Sequence, residues 1–166
     1  MRNRENRKQM ISWLAVAAWM VVIFLFSAQN DIQSGDTSGT VVRWFLSLIY
    51  RGFADFSPEQ QQSLLDSWHL VIRKSAHFTE YAILGILIAN VIRGYSLRAG
   101  FRWLLPIAAS ALYAVTDEVH QYFVPGRACR FLDVCIDTAG AVFGTALFTL
   151  AVFQLTKHKS FNRSEK

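Results

Sequence analysis

Two pairs of a histidine and a carboxylate are the side chains in this sequence best suited to chemistry, and the members of each pair are three positions apart. His77 and Glu80 form one pair, and Asp117 and His120 form the other. On a helix this spacing places both members on one face. Such pairs on facing helices can hold a divalent metal ion or exchange protons with a substrate. These four residues are the candidate metal ligands, and the sequence identifies no cofactor more closely than that.

Further ionisable and polar residues lie near the two pairs. Carboxylates among them could act as general acids or bases, and the arginine and lysine side chains, Arg130 included, could clamp a phosphate group. The candidate catalytic residues are His77, Glu80, Asp117, Glu118, His120 and Asp133. The candidate substrate-binding residues are Arg73, Lys74, Tyr81, Gln121, Arg127 and Asp137.

The apolar stretches that carry these residues predict an all-α, polytopic membrane protein, a bundle of four transmembrane helices. The 166-residue chain has 52% hydrophobic residues and a mean hydropathy of +0.23, which excludes a disordered chain and is unusual for a soluble domain. A helix needs roughly 20 residues to cross a bilayer. The stretches that approach this length are about 10–28, 76–92, 103–123 and 131–153. Residues 10–155 therefore form one membrane domain, and basic tails lie at 1–9 and 156–166.

The distribution of basic residues predicts how the bundle is oriented. The two tails and the loop between the second and third spans hold 11 of the 17 Lys and Arg residues, and cytoplasmic loops are enriched in these residues. The prediction is a multi-pass protein of the cell membrane with both termini in the cytoplasm. Residues 29–75 then form an extracytoplasmic amphipathic segment. Within it we expect a polar loop at 30–40, an interfacial helix at 41–50, and a helix capped by Ser57 that leads into the second span.

In this topology the intramembrane charges gather at the outer end of three spans. The second span begins with them, the third ends with them and the fourth begins with them, whereas the cytoplasmic halves contain no ionisable residue. A charge at the bilayer centre costs about 2.5–3.5 kcal/mol on insertion scales, so such residues tend to be paired or to line a polar cavity. Gly140 and Gly144 would allow the fourth helix to approach a neighbour closely.

Three segments resemble the VanZ-like family of small bacterial membrane proteins, which takes its name from a teicoplanin-resistance protein. They are RKSAHFTEYAILG at 73–85, YAVTDEVHQYFVPGR at 113–127 and DVCIDTAGAVFG at 133–144. Phe-Ser-Ala-Gln at 26–29 is also similar to the family, and the similarity covers residues 11 to about 150. The resemblance implies an integral membrane protein. One member of the family lowers susceptibility to a glycopeptide antibiotic, which acts on a lipid-linked cell-wall precursor outside the membrane, and the resemblance makes a related role an expectation here. It implies no particular reaction.

The residues leave three functions open. One is an enzyme, metal-dependent or acid/base, that acts on a phosphate-bearing lipid at the outer leaflet. Another is a protein that binds or shields the head group of such a lipid or cell-wall precursor without turning it over. The third is a non-catalytic network of ion pairs that locks the helices, although buried ion pairs are poor stabilisers. A proton-linked transporter is disfavoured because the inner halves of the spans lack a polar path.

The expected partners follow from the membrane setting. They are membrane lipid and a lipid-linked cell-wall precursor or a glycopeptide. The basic tails indicate contact with anionic lipid rather than with nucleic acid. No oligomeric state is predicted.

Overall fold

Five α-helices and one 3₁₀ turn make up the described chain. The structure is a computed structural model that describes residues 2–29 and 31–164, with the side chains of residues 4–29 and 39–157. No strand occurs in those ranges, which confirms the all-α prediction. The helices are α1 (Arg2–Ser27), α2 (Asp31–Ile49), α3 (Pro58–Arg93), α4 (Ala99–Tyr122) and α5 (Phe131–Ser164), with the 3₁₀ turn (Phe53–Asp55) between α2 and α3.

Four of these helices are long and apolar enough to cross a membrane, which confirms the predicted four-span bundle. The apolar helical segments are Arg4–Ser27, Pro58–Arg93, Ala99–Tyr122 and Phe131–Lys157. Helices α1 and α5 also extend past the predicted spans into the two basic tails. Many large apolar side chains on the outer faces of the four long helices are exposed, as expected where a helix contacts lipid rather than protein.

Helix α3 begins at the predicted cap and continues without a break through the second span. The Ser57 hydroxyl accepts a hydrogen bond from the Gln60 backbone N–H at 3.3 Å, and the Gln60 side chain accepts one from the Ser57 N–H at 3.0 Å. Pro58 occupies the first helical turn. This capping box satisfies two backbone N–H groups that would otherwise lack partners, so the 36-residue helix starts at a defined point.

The predicted polar loop at 30–40 is wrong over residues 31–40, because α2 already begins at Asp31. Further along α2, Val42 and Leu46 are fully buried and pack with Phe53 and Leu65 in a small apolar cluster. That packing anchors the helix. Once a helix is nucleated, each added residue gains one backbone hydrogen bond. The helix therefore extends from the packed residues Val42 and Leu46 back through the polar residues 31–40.

Helices α3 and α5 approach each other closely at three glycines. A Cβ atom built on Gly144 would lie 1.9 Å from the backbone oxygen of Ala82, and one on Gly140 would lie 2.2 Å from that of Phe78. On the other helix, a Cβ on Gly85 would lie 2.6 Å from the Ala141 oxygen. The predicted close approach of the fourth span is thus to the second span, and it requires residues without a side chain.

Helix α1 packs antiparallel to α3, which fixes which helix ends lie together. Gln9 Nε2 donates to the Val91 carbonyl at 3.0 Å, and Trp19 Nε1 donates to the Glu80 carbonyl at 2.9 Å. The end of α1 therefore lies beside the first charged turns of the spanning part of α3. We call this end of the bundle, formed by residues 26–29, 72–81, 117–121 and 124–137, the charged end.

Candidate functional site

The charged end contains an open cavity of about 280 Å³, which we call the larger cavity. The end of α1, helices α2, α3 and α4, and the loop between α4 and α5 all contribute to its wall. Its apolar side chains are Phe26, Val41, Ile72 and Ala76. Its polar and charged ones are Ser27, Gln29, Arg73, His77, Glu80, Asp117 and Arg127.

A second, smaller cavity of about 150 Å³ adjoins the first on the side of α5. Arg73, His77 and Arg127 line both cavities and form the boundary between them. The remaining lining residues of the smaller cavity are Leu70, Lys74, Gly126, Ala128, Arg130 and Asp133. The two cavities bring candidate residues from α3, α4, α5 and the loop to one place.

The two cavities differ in formal charge. Among its described lining residues the larger cavity has two arginines and two carboxylates, so with a neutral histidine their formal charges cancel. The smaller cavity has four cationic side chains and one carboxylate, for a net charge of +3. Its carboxylate, Asp133, is in direct contact with Lys74 Nζ. An anion is therefore attracted more strongly to the smaller cavity.

His77 faces a buried carboxylate on α5. Its Nδ1 lies 3.5 Å from Asp137 Oδ1, and the Asp137 side chain has no solvent exposure. His77 also lines both cavities, so the ring connects Asp137 to the space where a ligand would lie. A carboxylate this close to a histidine ring stabilises the protonated form of the ring through its charge. This pairing was not predicted, because the sequence placed Asp137 among the substrate-binding residues.

Arg127 is held by two directed hydrogen bonds. Its Nε donates to the Gln29 carbonyl at 3.1 Å, and its Nη1 donates to Gln121 Oε1 at 3.3 Å. The same Gln121 donates through Nε2 to Asp117 Oδ2 at 3.2 Å. Gln121 is 2% exposed, so it serves as a link between α4 and the loop rather than as a direct ligand contact.

Glu118 organises the loop before α5 and lines neither cavity. Its Oε2 accepts a hydrogen bond from the Arg130 backbone N–H at 2.7 Å, and the residue is 1% exposed. Because Arg130 lines the smaller cavity, Glu118 acts on the site through the backbone position of Arg130.

Two other candidate residues lie outside the cavities. His120 packs on Phe24 of α1, with ring centroids 4.6 Å apart. Tyr81 is fully buried in the apolar core beside Tyr113. Neither side chain is among those that line the larger or the smaller cavity.

The candidate metal ligands do not form a metal site. Among the side chains that the structure describes, no group of three or more His, Cys, Asp or Glu residues is arranged to hold an ion. His77, Glu80 and Asp117 share the larger cavity, whereas His120 lies against α1. As placed, these four described residues therefore do not form one metal site.

Several buried polar atoms at the charged end have no hydrogen-bond partner within the described chain. They are Ser27 Oγ, His77 Nδ1, Tyr81 Oη, Asp117 Oδ1, Glu118 Oε1, His120 Nδ1 and both carboxylate oxygens of Asp137. Buried polar groups are normally satisfied, and each unsatisfied one costs about 1–3 kcal/mol. Ser27, His77 and Asp117 line the larger cavity, so water or a ligand there can supply the missing partners.

Comparison with known proteins agrees with the resemblance of the three segments. The family model described as VanZ/LLP1 matches residues 12–153, which is most of the chain. The chain belongs to the VanZ/LLP1 family. It matches no curated protein and no solved structure.

The sequence did not identify the contribution of α1 and α2 to this VanZ/LLP1 site. Ser27 and Gln29 lie in the Phe-Ser-Ala-Gln segment that resembles the family, and both line the larger cavity. The sequence feature that could have identified them is their position at the end of the first span, which lies next to the charged ends of the other spans. Val41 had no such signal, because its place in the wall depends on how α2 packs on α3.

Proposed function

We propose that this VanZ/LLP1 protein binds the head group of a phosphate-bearing lipid that carries net negative charge, or of a lipid-linked cell-wall precursor, at its charged end. The single observation that carries the proposal is the larger cavity, whose wall contains both Arg73 and Arg127 and the apolar side chains of Phe26, Val41 and Ile72. Arginine suits phosphate because its planar group donates several hydrogen bonds in a fixed geometry. An apolar wall beside it suits a ligand that is partly hydrocarbon.

The proposal places the charged end outside the cytoplasm. Supporting this, the basic tails and the basic loop lie at the opposite end, where Trp13 near the start of α1 donates to the Tyr95 hydroxyl after α3 at 3.1 Å. Lys and Arg are enriched in cytoplasmic loops. A site at the outer surface would meet cell-wall precursors or a glycopeptide, and its occupancy by precursor would alter glycopeptide susceptibility.

The ion-network alternative explains less of the charged end. Lys74 and Asp133 do form an ion pair, but Asp117 accepts its hydrogen bond from the Gln121 amide and Glu118 from a backbone N–H. Both carboxylates also keep one oxygen without a partner. A network that existed only to lock the helices would pair these oxygens, because unpaired buried polar atoms are destabilising.

The test measures lipid binding by the purified full-length protein in nanodiscs made of phosphatidylcholine. Fluorescent phosphatidic acid and a polyprenyl phosphate are titrated, and the unlabelled lipids compete. We expect saturable binding of lipid phosphates, and a loss of roughly tenfold or more in affinity for Arg73→Gln and Arg127→Gln, since hydrogen bonds to a charged group are worth about 1.5–3 kcal/mol.

The matched control is Arg98→Gln, a change of the same kind at the start of α4, at the other end of the bundle. It should leave the affinity unchanged. Equal affinity of the wild type for phosphatidic acid and phosphatidylcholine would contradict the proposal, as would equal losses for Arg98→Gln and the two cavity variants.

A second candidate function, acid/base catalysis at the same site, is favoured by the His77–Asp137 pair. In a hydrolysis, water would add to phosphorus while His77 takes one of its protons. The ester P–O bond would then break, and the proton would pass to the leaving oxygen. Asp137, at 3.5 Å from the ring, would stabilise the protonated histidine during this exchange.

Binding and catalysis are separated by His77→Gln. If the site is catalytic, phosphate release from the polyprenyl phosphate should be measurable for the wild type and fall at least about a hundredfold in this variant, while lipid affinity changes little. If the wild type turns over none of the lipid phosphates that it binds, catalysis is refuted and binding remains the function.

A further inference from the structure

The two cavities of the charged end divide the ligand into a phosphate and an apolar part. We propose that the smaller cavity holds the phosphate group and that the larger cavity holds the first part of the hydrocarbon chain attached to it. This inference rests on the proposed binding of a lipid phosphate and specifies the ligand class: a lipid with a terminal phosphate monoester whose apolar chains begin within a short linker of the phosphate.

Charge decides which cavity takes the phosphate. Arg73 and Arg127 line both cavities, so the difference in formal charge comes from the other described lining residues. These are Lys74 and Arg130 against Asp133 in the smaller cavity, and Glu80 and Asp117 in the larger one. In the larger cavity a phosphate would also lie near the carboxylates of Glu80 and Asp117, which repel it. In the smaller one, the carboxylate of Asp133 is already neutralised by Lys74.

Size agrees with this division. A protein cavity of about 150 Å³ can hold a molecule as large as benzene, and the smaller cavity has that volume. A single phosphate group is smaller than benzene and fits. A sugar or peptide portion of a precursor does not fit with it and would have to extend into the surrounding water.

The apolar wall of the larger cavity is continuous with the exposed outer surface of the bundle. Phe26 is 46% exposed and Val41 is 45% exposed, yet both line the cavity. These two residues come from the end of α1 and from α2. A lipid chain could therefore enter sideways from the membrane between α1 and α2, and its hydrocarbon would remain next to apolar side chains throughout.

The boundary between the cavities sets the position of the ligand along this path. Arg73, His77 and Arg127 line both cavities. The bond that joins phosphate to chain would cross between them, with the two guanidinium groups beside the phosphate oxygens. A free phosphate could use the smaller cavity alone, and a neutral lipid could use the larger one alone. Only a lipid phosphate uses both.

The test compares three probes that share the phosphate and differ in the chain: dioleoyl phosphatidic acid, dihexanoyl phosphatidic acid and inorganic phosphate. Their affinities for the full-length protein in phosphatidylcholine nanodiscs are measured by competition. For the wild type we expect affinity to fall in that order. Ala76→Phe fills the larger cavity and should weaken the dioleoyl lipid by roughly tenfold or more, while inorganic phosphate binds as before.

Arg130→Gln addresses the smaller cavity and should weaken all three probes by a similar factor, because all three carry the phosphate. Val71→Phe is the matched control for added bulk, since Val71 is exposed on the same helix and lines neither cavity. Ala76→Leu adds a smaller side chain to the larger cavity and replaces Ala76→Phe in the test if that variant does not fold. Thermal unfolding of each purified variant checks that the bundle is intact.

The outcomes separate this inference from the proposed function. If the wild type binds phosphatidic acid no better than phosphatidylcholine, the proposed function fails. If lipid phosphates bind but both Ala76 variants weaken inorganic phosphate as much as the dioleoyl lipid, the division into two cavities is wrong. Equal affinity of the wild type for all three probes would also overturn it, because the chain would then contribute nothing.

Discussion

Arg127 depends on the geometry of its guanidinium group as well as on its charge. Two of its nitrogen atoms donate to oxygens that lie on different segments of the chain, at Gln29 and Gln121. A lysine at this position would keep the positive charge, but its single ammonium group has no planar pair of donors. The position of this cation in the wall of both cavities thus depends on the residue being arginine.

Arg127→Lys should therefore weaken binding of phosphatidic acid several-fold although the formal charge is unchanged. Titration of the lipid in nanodiscs measures this change, and Arg98→Lys at the opposite end is the control. An affinity equal to the wild type for Arg127→Lys would show that charge alone matters at this position.

The contacts of the Glu118 and His120 side chains could not be predicted from the spacing of these residues in the sequence. Both follow Asp117 in the sequence, and the pattern grouped them with it. A helix turns about 100° per residue, so Glu118 leaves the face of Asp117 and contacts the loop. His120 lies only about 60° from Asp117 around the helix, yet its ring packs on Phe24 of α1. Which direction faces the cavity depends on how α4 is rotated against its neighbours, and that is a property of packing rather than of sequence spacing.

Glu118 is a positioning residue for the loop. Two substitutions should distinguish the contribution of its hydrogen bond from that of its negative charge. Glu118→Gln keeps an oxygen that can accept from the Arg130 N–H, so lipid binding should remain near that of the wild type. Glu118→Ala removes the acceptor of this part-buried hydrogen bond, which costs about 1–3 kcal/mol, and should lower both thermal stability and affinity. Thermal unfolding and lipid titration of both variants provide the measurement. Loss of binding in Glu118→Gln with unchanged stability would instead show that its charge acts on the ligand directly.

At the scale of elements, the contact between α3 and α5 is what brings Lys74 to Asp133 and His77 to Asp137. Both pairs join these two helices, and the glycines set the distance between the helix backbones. Since the nearest atoms to the added Cβ groups are backbone oxygens, the clash cannot be relieved by rotating a side chain.

Gly144→Ala should therefore destabilise the bundle by about 1–3 kcal/mol, the usual cost of overpacking. Gly100→Ala is the matched control, because nothing lies within 4 Å of a Cβ at that helical position. Thermal unfolding in detergent should show a lower Tm for Gly144→Ala and an equal or higher Tm for Gly100→Ala. The same Tm for both variants would contradict the tight contact between the two helices.

The elements were predictable where their signals were local. The apolar spans, the cap at Ser57 and the close approach at Gly140 and Gly144 could all be predicted from nearby residues. The helix from Asp31 could not, because its formation depends on Val42 and Leu46 packing against distant residues. The pairing of His77 with Asp137 was also missed, since it joins residues 60 positions apart in the sequence.

At the scale of the whole molecule, the account requires that the charged end face outside. The native Cys129 is exposed at that end and provides a reporter in a Cys135→Ser background. In intact cells a membrane-impermeant maleimide should label Cys129. In a variant with Cys129→Ser and Ser96→Cys, it should label position 96 only after the membrane is permeabilised, because the basic loop is expected in the cytoplasm. Labelling with the opposite pattern would reverse the orientation and place the site inside the cell.

The most direct test of the central claim is to locate a bound lipid phosphate by photocrosslinking. Phosphatidic acid with a diazirine near the start of one acyl chain is incorporated into nanodiscs with the full-length protein and irradiated, and the modified residues are mapped by mass spectrometry. A phosphatidylcholine with the same chain is the control. We expect adducts from phosphatidic acid concentrated at residues 26–29, 41 and 72–76, and far fewer there from phosphatidylcholine. The same adduct pattern for both lipids, spread over the outer faces of the four spans, would contradict a site selective for anionic lipid phosphates at the charged end.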